Sequence, residues 1–144
     1  MEVKDSNAGL LSNYEAYKLL SDVKEESKRD HKRARATDGL STIVYETLKF
    51  LETTPSVVQS PEVIKEFCRA VASFRLTKAE KLQILNLRPT TPVEIQLIVE
   101  ECEERLSEEK VNELTDIIAR LLPSKSNQTA GAATAAASAE DMDE

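Results

Sequence analysis

The sequence is poor in the residues from which most catalytic and metal centres are built. It contains one histidine, two cysteines and no tryptophan. Cys68 and Cys102 lie far apart, without the Cys-x-x-Cys or Cys/His spacing of a metal site, and we read both as reduced thiols. His31 stands among basic residues with no companion ligand or nucleophile, and no G-x-x-x-x-G-K-S/T phosphate loop is present. We therefore expect no catalytic residue, no metal site and no cofactor.

Glycine and aromatic residues are also scarce, at three residues and 4% of the chain respectively. Both values disfavour a sheet-rich fold, because strands are enriched in aromatic side chains. The net charge of -7 disfavours general attraction to phosphate, so we expect little direct nucleic-acid binding by the chain alone. No signal peptide is recognised and no apolar run approaches the roughly 20 residues of a membrane helix. The expectation is a cytosolic or nuclear protein without membrane insertion.

What the sequence does contain is a series of helix start signals. In a capping box, a Ser or Thr hydroxyl and a Glu carboxylate three residues later each satisfy a free backbone amide. Apolar residues at three- and four-residue steps follow each signal, and prolines close several of the runs. The pattern predicts an all-α protein with a first helix and five more between residues 40 and 123. The predicted starts are Ser12, Ser41 or Thr42, Ser60, Thr77, Thr91 and Ser107.

One of these predicted helices is longer than its neighbours. The helix that begins after Thr91 is expected to continue through Cys102 to Leu106, with Val93 and Leu97 on its apolar stripe. Ile98 belongs to the same expected stripe.

Residues 1–23 form a separate segment that ends in the first helix. Its apolar side chains either dock on a neighbouring chain or pack back on the protein's own core, and the pattern leaves both open. They are Val3, Leu10, Leu11, Tyr14, Tyr17, Leu19 and Leu20.

Two charged or biased stretches offer little to a core. Residues 24–39 are polar, with basic residues between Lys28 and Arg35, and indicate a linker or a frayed extension of the first helix. This stretch is either solvated or in contact with an acidic partner or nucleic acid. Residues 124–144 are rich in Ala, Ser and Thr, end on acidic residues and are expected to be disordered.

The carboxylates between Glu94 and Asp116 number nine, against Arg105 and Lys110. They lack the turn glycine and alternating pattern of a calcium loop. We interpret them as an acidic surface that is solvated or faces a partner.

The run LTKAEKLQILNLRPTTPVEIQLIVEECEERL, from Leu76 to Leu106, resembles the small stalk subunit of RNA polymerase III. This family is also described as the calcitonin gene-related peptide receptor component protein. The resemblance continues through LLSNYEAYKLL, YETLKFLETTP and QSPE. It therefore covers roughly residues 1–123 and is weakest in the basic linker and the Ala-rich tail.

The resemblance implies a fold, a function and a set of partners. The fold would be an N-terminal segment and helix joined to a helical domain of the helicase-and-RNase-D C-terminal (HRDC-like) type over residues 40–123. The function would be that of a nuclear, non-catalytic subunit of DNA-directed RNA polymerase III that supports initiation at small non-coding RNA genes. It would form a heterodimer with the larger, barrel-containing stalk subunit and contact the polymerase core and initiation factors.

Two further expectations follow from the same resemblance. As a hypothesis, the partner-binding residues are Val3, Leu10, Leu11, Tyr14, Tyr17 and Leu20, with Val3 in a strand added to the partner's sheet. The alternative function is that of an intracellular accessory protein of the calcitonin gene-related peptide receptor complex, with a cytoplasmic pool or one peripheral at the plasma membrane.

Overall fold

A computed structural model describes residues 4–5, 9–29 and 38–124. Within them the chain forms seven α-helices, two short 3-10 helices at Pro55–Val58 and Ala72–Phe74, and no strand. The all-α prediction is confirmed for these residues, and the HRDC-like type stays a prediction. The helices are α1 (Asn13–Arg29), α2 (Asp38–Leu51), α3 (Pro61–Ala70), α4 (Lys78–Leu87), α5 (Pro92–Ile98), α6 (Cys102–Arg105) and α7 (Glu108–Leu121).

The chain divides into two compact units, Met1–Val57 and Val58–Glu144. This division falls inside the stretch of residues 40–123 that the sequence pattern groups as one domain. Helix α1 continues to Arg29, through the first part of the expected linker at 24–39. Residues 30–37 of that linker, with His31, and residues 125–144 of the expected tail lie outside the described residues.

The predicted helix starts are present as local hydrogen bonds. In three capping boxes the Ser or Thr hydroxyl accepts from the Glu amide and the Glu carboxylate accepts from the cap amide: Ser12 with Glu15, Thr77 with Glu80, and Thr91 with Glu94. Ser60 and Ser107 accept from the amides of Val63 and Lys110. Helix α2 differs, since it begins at Asp38 rather than after Ser41 or Thr42.

In the first unit, helices α1 and α2 pack against each other. Helix α1 has no fully buried residue, whereas α2 buries Val44, Leu48 and Leu51, which recur at four- and three-residue steps. These three buried residues form a stripe along one face of α2, and such a stripe covers only part of a helix surface. Much of the apolar surface of α2 therefore stays outside the packed face.

The second unit has a continuous apolar core. Helix α7 contacts both α3 and α5, and α4 contacts α5. The core lies around α7, whose Leu114 and Ile118 are fully buried, as the periodicity predicts. The remaining core residues are Phe67, Val71, Phe74, Leu76, Ile84, Leu85, Ile95, Val99, Cys102, Leu106, Val111 and Leu122.

The end of α4 is tied to the end of α7. Arg88 follows α4 with a φ of 49°, in the left-handed region that commonly ends a helix. Its Nε donates to the carbonyl oxygen of Leu122 at 2.8 Å. The stop predicted from Pro89 is therefore confirmed, and the Arg88 side chain satisfies a carbonyl that α7 leaves free at its own end.

The expectation of one helix from Thr91 to Leu106 is wrong. Helix α5 ends at Ile98, Glu101 has a φ of 49°, and α6 begins at Cys102. The physical reason is that the amide of Glu100 donates to the carboxylate of Glu80 at 3.2 Å. An unbroken helix would have used that amide internally.

The expected stripe of the same helix is wrong for Val93 and Leu97, whereas Ile98 is half-buried and packs against the core as expected. Val93 and Leu97 are 64% and 83% exposed, while Ile95 and Val99 are buried. Both pairs are spaced four residues apart, so periodicity alone could not decide which of them faces the core.

Glu80 connects α4 to the segment that separates α5 from α7. The residue is only 5% exposed, and its carboxylate accepts from Arg105 Nη1 at 2.6 Å and from the amide of Thr77 at 2.7 Å. Arg105 also donates to the carbonyl oxygens of Arg75 and Glu100. The hydrogen bond from Arg105 is the main reason that the pKa of Glu80 is lowered to about 2.

Replacing Glu80 by Gln should lower the free energy of unfolding near neutral pH by roughly 2–3 kcal/mol, because a charged pair and its hydrogen bonds are lost. The pKa of Glu80 is lower in the folded chain than in the unfolded chain. Its contribution is therefore complete above about pH 5 and is lost as the pH falls towards 2. The wild-type chain should lose more stability over that interval than Glu80→Gln does.

Urea unfolding followed by circular dichroism at several pH values measures this difference. Glu109→Gln, at an exposed glutamate in the first turn of α7, is the matched control and should follow the wild type. An identical pH dependence in Glu80→Gln and the wild type would contradict the assignment.

Candidate protein-partner interface

The described residues form no candidate metal site. No group of three or more His, Cys, Asp or Glu side chains in this part of the chain could hold a metal ion. Both cysteines are free, Cys68 at the surface and Cys102 buried. Burial raises the pKa of the Cys102 thiol, and a protonated thiol is a poor nucleophile.

None of the helices in the described part of the chain combines the length and the apolar character needed to cross a bilayer.

Exposed apolar residues are concentrated in the first unit. Among the described residues, ten large hydrophobic side chains are exposed, and seven of them lie between residues 10 and 50. Exposed apolar side chains in this number are candidates for contact with another protein. The seven are Leu10, Leu11, Leu19, Leu40, Ile43, Tyr45 and Phe50.

The two leucines that precede α1 are available for binding. Leu10 is 78% and Leu11 54% exposed. Leu11 occupies the position from which a hydrophobic side chain often packs on the fourth residue of a helix. That residue here is Ala16, whose methyl group offers little surface. The capping box at Ser12 therefore sets the direction of α1 while the leucines before it remain accessible.

The aromatic and aliphatic residues predicted within α1 are in a different environment. Tyr14, Tyr17 and Leu20 are half-buried, in a helix that packs on α2. Val3, the remaining predicted partner-binding residue, lies outside the described residues. A role in partner binding stays a prediction for all six residues.

Two exposed residues of α2 were missed by the sequence reading. Ile43 and Phe50 are 60% and 64% exposed and, seven residues apart, lie on the same side of the helix. The apolar periodicity of this helix places Ile43 on its buried stripe, but in the structure the residue lies in solvent. The sequence feature that indicates this exposure is the number of apolar residues in α2, because they extend around more of the helix than one packed face can bury.

Tyr45 differs from these two residues although it is similarly exposed. The ammonium groups of Lys24 and Lys49 lie 6.0 and 5.8 Å from the centre of its ring. Contacts of this kind between a cation and an aromatic face are weakly attractive. The ring of Tyr45 therefore helps to join α1 to α2, and we place Ile43 and Phe50, rather than Tyr45, with Leu10 and Leu11. These four residues are called the apolar patch below.

The described residues therefore define an all-α protein whose first unit presents an exposed apolar patch. Residues 10–122 match the RNA polymerase Rpb4 family, and the chain belongs to this family.

Individual relatives agree with the family match. The chain is 30% identical over 129 residues to DNA-directed RNA polymerase III subunit rpc9 of Schizosaccharomyces pombe, covering 85% of this chain and all of the relative. It is 29% identical to subunit rpc9 of Dictyostelium discoideum over 115 residues, covering 76% of this chain and 82% of the relative. A shorter match, 44% identical over 59 residues, is to subunit RPC9 of Saccharomyces cerevisiae and covers 41% of this chain and 37% of the relative.

Replacing Ile43 and Phe50 together by Ser should change the free energy of unfolding by no more than about 0.5 kcal/mol, because both side chains are already in solvent. The same change should reduce the binding of a hydrophobic dye such as anilinonaphthalene sulfonate. Val44→Ser, at the neighbouring buried residue, should cost at least about 2 kcal/mol. Urea unfolding and dye fluorescence measure the two effects. A large loss of stability in the Ile43/Phe50 variant would show that these side chains are structural.

Proposed function

We propose that this chain is a non-catalytic subunit of nuclear RNA polymerase III that forms the stalk heterodimer with the larger, barrel-containing stalk subunit. The membership of the family and the names of the three relatives support the polymerase assignment. In this assembly the chain supports transcription initiation through contacts with the polymerase core and initiation factors.

The observation that carries the heterodimer is the concentration of exposed apolar residues in the first unit. Leu10 and Leu11 lie beside the capped start of α1, and Ile43 and Phe50 lie on α2. Apolar side chains of this size gain free energy when a partner removes them from water. The half-buried Tyr14, Tyr17 and Leu20 support the patch from α1, and Val3 adds a strand to the partner's sheet in this proposal.

The net charge of the chain supports different roles for the two subunits of the heterodimer. With a net charge of -7, the chain has little affinity for the phosphate backbone. The larger subunit therefore supplies most contact with RNA, and this chain supplies contacts with protein. The receptor-linked role implied by the resemblance is not part of this proposal, because no described residue favours it.

Replacing Leu10, Leu11 and Leu20 together by Asp should abolish the heterodimer. Buried apolar residues at the centre of an interface each contribute about 2 kcal/mol or more, and a charge in their place adds a desolvation cost. We expect the dissociation constant to rise at least about a thousandfold. Co-expression with the larger stalk subunit, followed by affinity purification and calorimetry, measures the effect.

The matched control replaces Leu87, Val93 and Leu97 by Asp. These residues are 60%, 64% and 83% exposed in the second unit, so this variant adds the same charge and should retain the partner. Circular dichroism must show the same helix content for both variants, since Leu20 is half-buried. A well-folded Leu10/Leu11/Leu20 variant that binds as tightly as the control would place the interface elsewhere.

A further inference from the structure

The second unit contains a groove that the proposed heterodimer does not use. It lies between α5 and the start of α7, is bounded by α6, and has a volume of about 390 Å³. Pro92 and Val93 line it from α5, and Leu106 and Val111 line it from the core side. Both apolar and polar side chains line it.

Two carboxylates stand at this groove. Glu103 and Glu108 both line it and are both exposed. Among the described residues, Glu25 pairs with Lys28 and Glu80 with Arg105, and neither Glu103 nor Glu108 takes part in these ion pairs. The carboxylates at the groove therefore lack a cationic partner in the part of the chain that the structure describes.

The basic residues that could neutralise this surface are used elsewhere. Between Glu94 and Glu113 there are eight acidic residues and two basic ones, Arg105 and Lys110. The guanidinium of Arg105 is bound to Glu80, and the ammonium of Lys110 lies 5.5 Å from the centre of the Phe74 ring. The surface around the groove consequently keeps an uncompensated negative charge, which attracts cations and repels phosphate.

Exposed apolar surface continues from the groove along α5. Val93 is 64% exposed, and Leu97, one turn further along the same helix, is 83% exposed. A ligand that matched only the charge would leave these two side chains in water. The complement of this surface is a chain segment that carries both positive charge and an apolar side chain.

We propose that the groove between α5 and α7 binds a basic segment of a partner protein. An apolar side chain of that segment enters the groove beside Val93, and flanking Lys or Arg side chains pair with Glu103 and Glu108. Nucleic acid does not fit this surface, because its phosphates would face the same carboxylates. The proposal goes beyond the stalk heterodimer and does not depend on it, since the groove is built only from residues of the second unit.

The test uses the full-length chain labelled with ¹⁵N and a short synthetic peptide in which lysines flank a central pair of leucines. Titration followed by amide chemical shifts should perturb residues of α5, α6 and the first turn of α7. Binding should weaken with added salt. Replacing both Glu103 and Glu108 by Lys should raise the dissociation constant roughly tenfold or more.

Matched controls distinguish the effect of charge, the effect of apolar contact and the location of the binding site. Asp22→Lys with Glu46→Lys makes the same change in net charge at exposed residues of α1 and α2 and should leave peptide binding unchanged. Peptides with glutamates for the lysines, or serines for the leucines, should bind at least about tenfold more weakly. Val93→Ser with Leu97→Ser should weaken the original peptide without changing the fold.

Several results would overturn the proposal. These are no shift changes up to millimolar peptide, changes located outside the groove, and equal weakening by both pairs of Lys variants. Tighter binding of a single-stranded RNA oligonucleotide than of the basic peptide would also overturn it.

Discussion

A buried carboxylate, Glu80, organises the second unit. A charge held out of water is tolerated only when hydrogen bonds and an opposite charge surround it, and Glu80 receives the amides of Thr77 and Glu100 as well as the guanidinium of Arg105. The chain must leave helical geometry after Ile98 to present the Glu100 amide. One electrostatic requirement therefore ends α5, positions α6, and opens the groove that lies beside α7.

The two units differ in how completely they bury their apolar side chains. Helix α7 is surrounded by other elements, so Leu114 and Ile118 are removed from water. The first unit has one long helix on another, and a pair of helices cannot cover every apolar side chain that it carries. Ile43 and Phe50 remain in solvent for this reason. In a subunit of a larger assembly, an interface with a partner buries exposed apolar surface of this kind.

Helix starts were predictable because their hydrogen bonds join residues three positions apart. Each capping box, such as that of Thr77 and Glu80, is complete within one helical turn and needs no distant partner. The face that α5 buries was not predictable in this way. Val93 and Leu97 have the same spacing as Ile95 and Val99, and only contact with α4 and α7 distinguishes the two pairs. The exposed residues of α2 were missed because the periodicity of a helix does not say how many neighbours cover it.

The sequence by itself therefore determined where helices begin and where Pro89 ends one. Tertiary structure decided which apolar residues are covered and which charges are neutralised. Arg105 is surrounded in sequence by glutamates, yet it pairs with Glu80, 25 residues away. That choice leaves Glu103 and Glu108 unpaired in the described residues. The physical reason is that capping is settled by the local backbone, whereas burial and ion pairing depend on which distant elements meet.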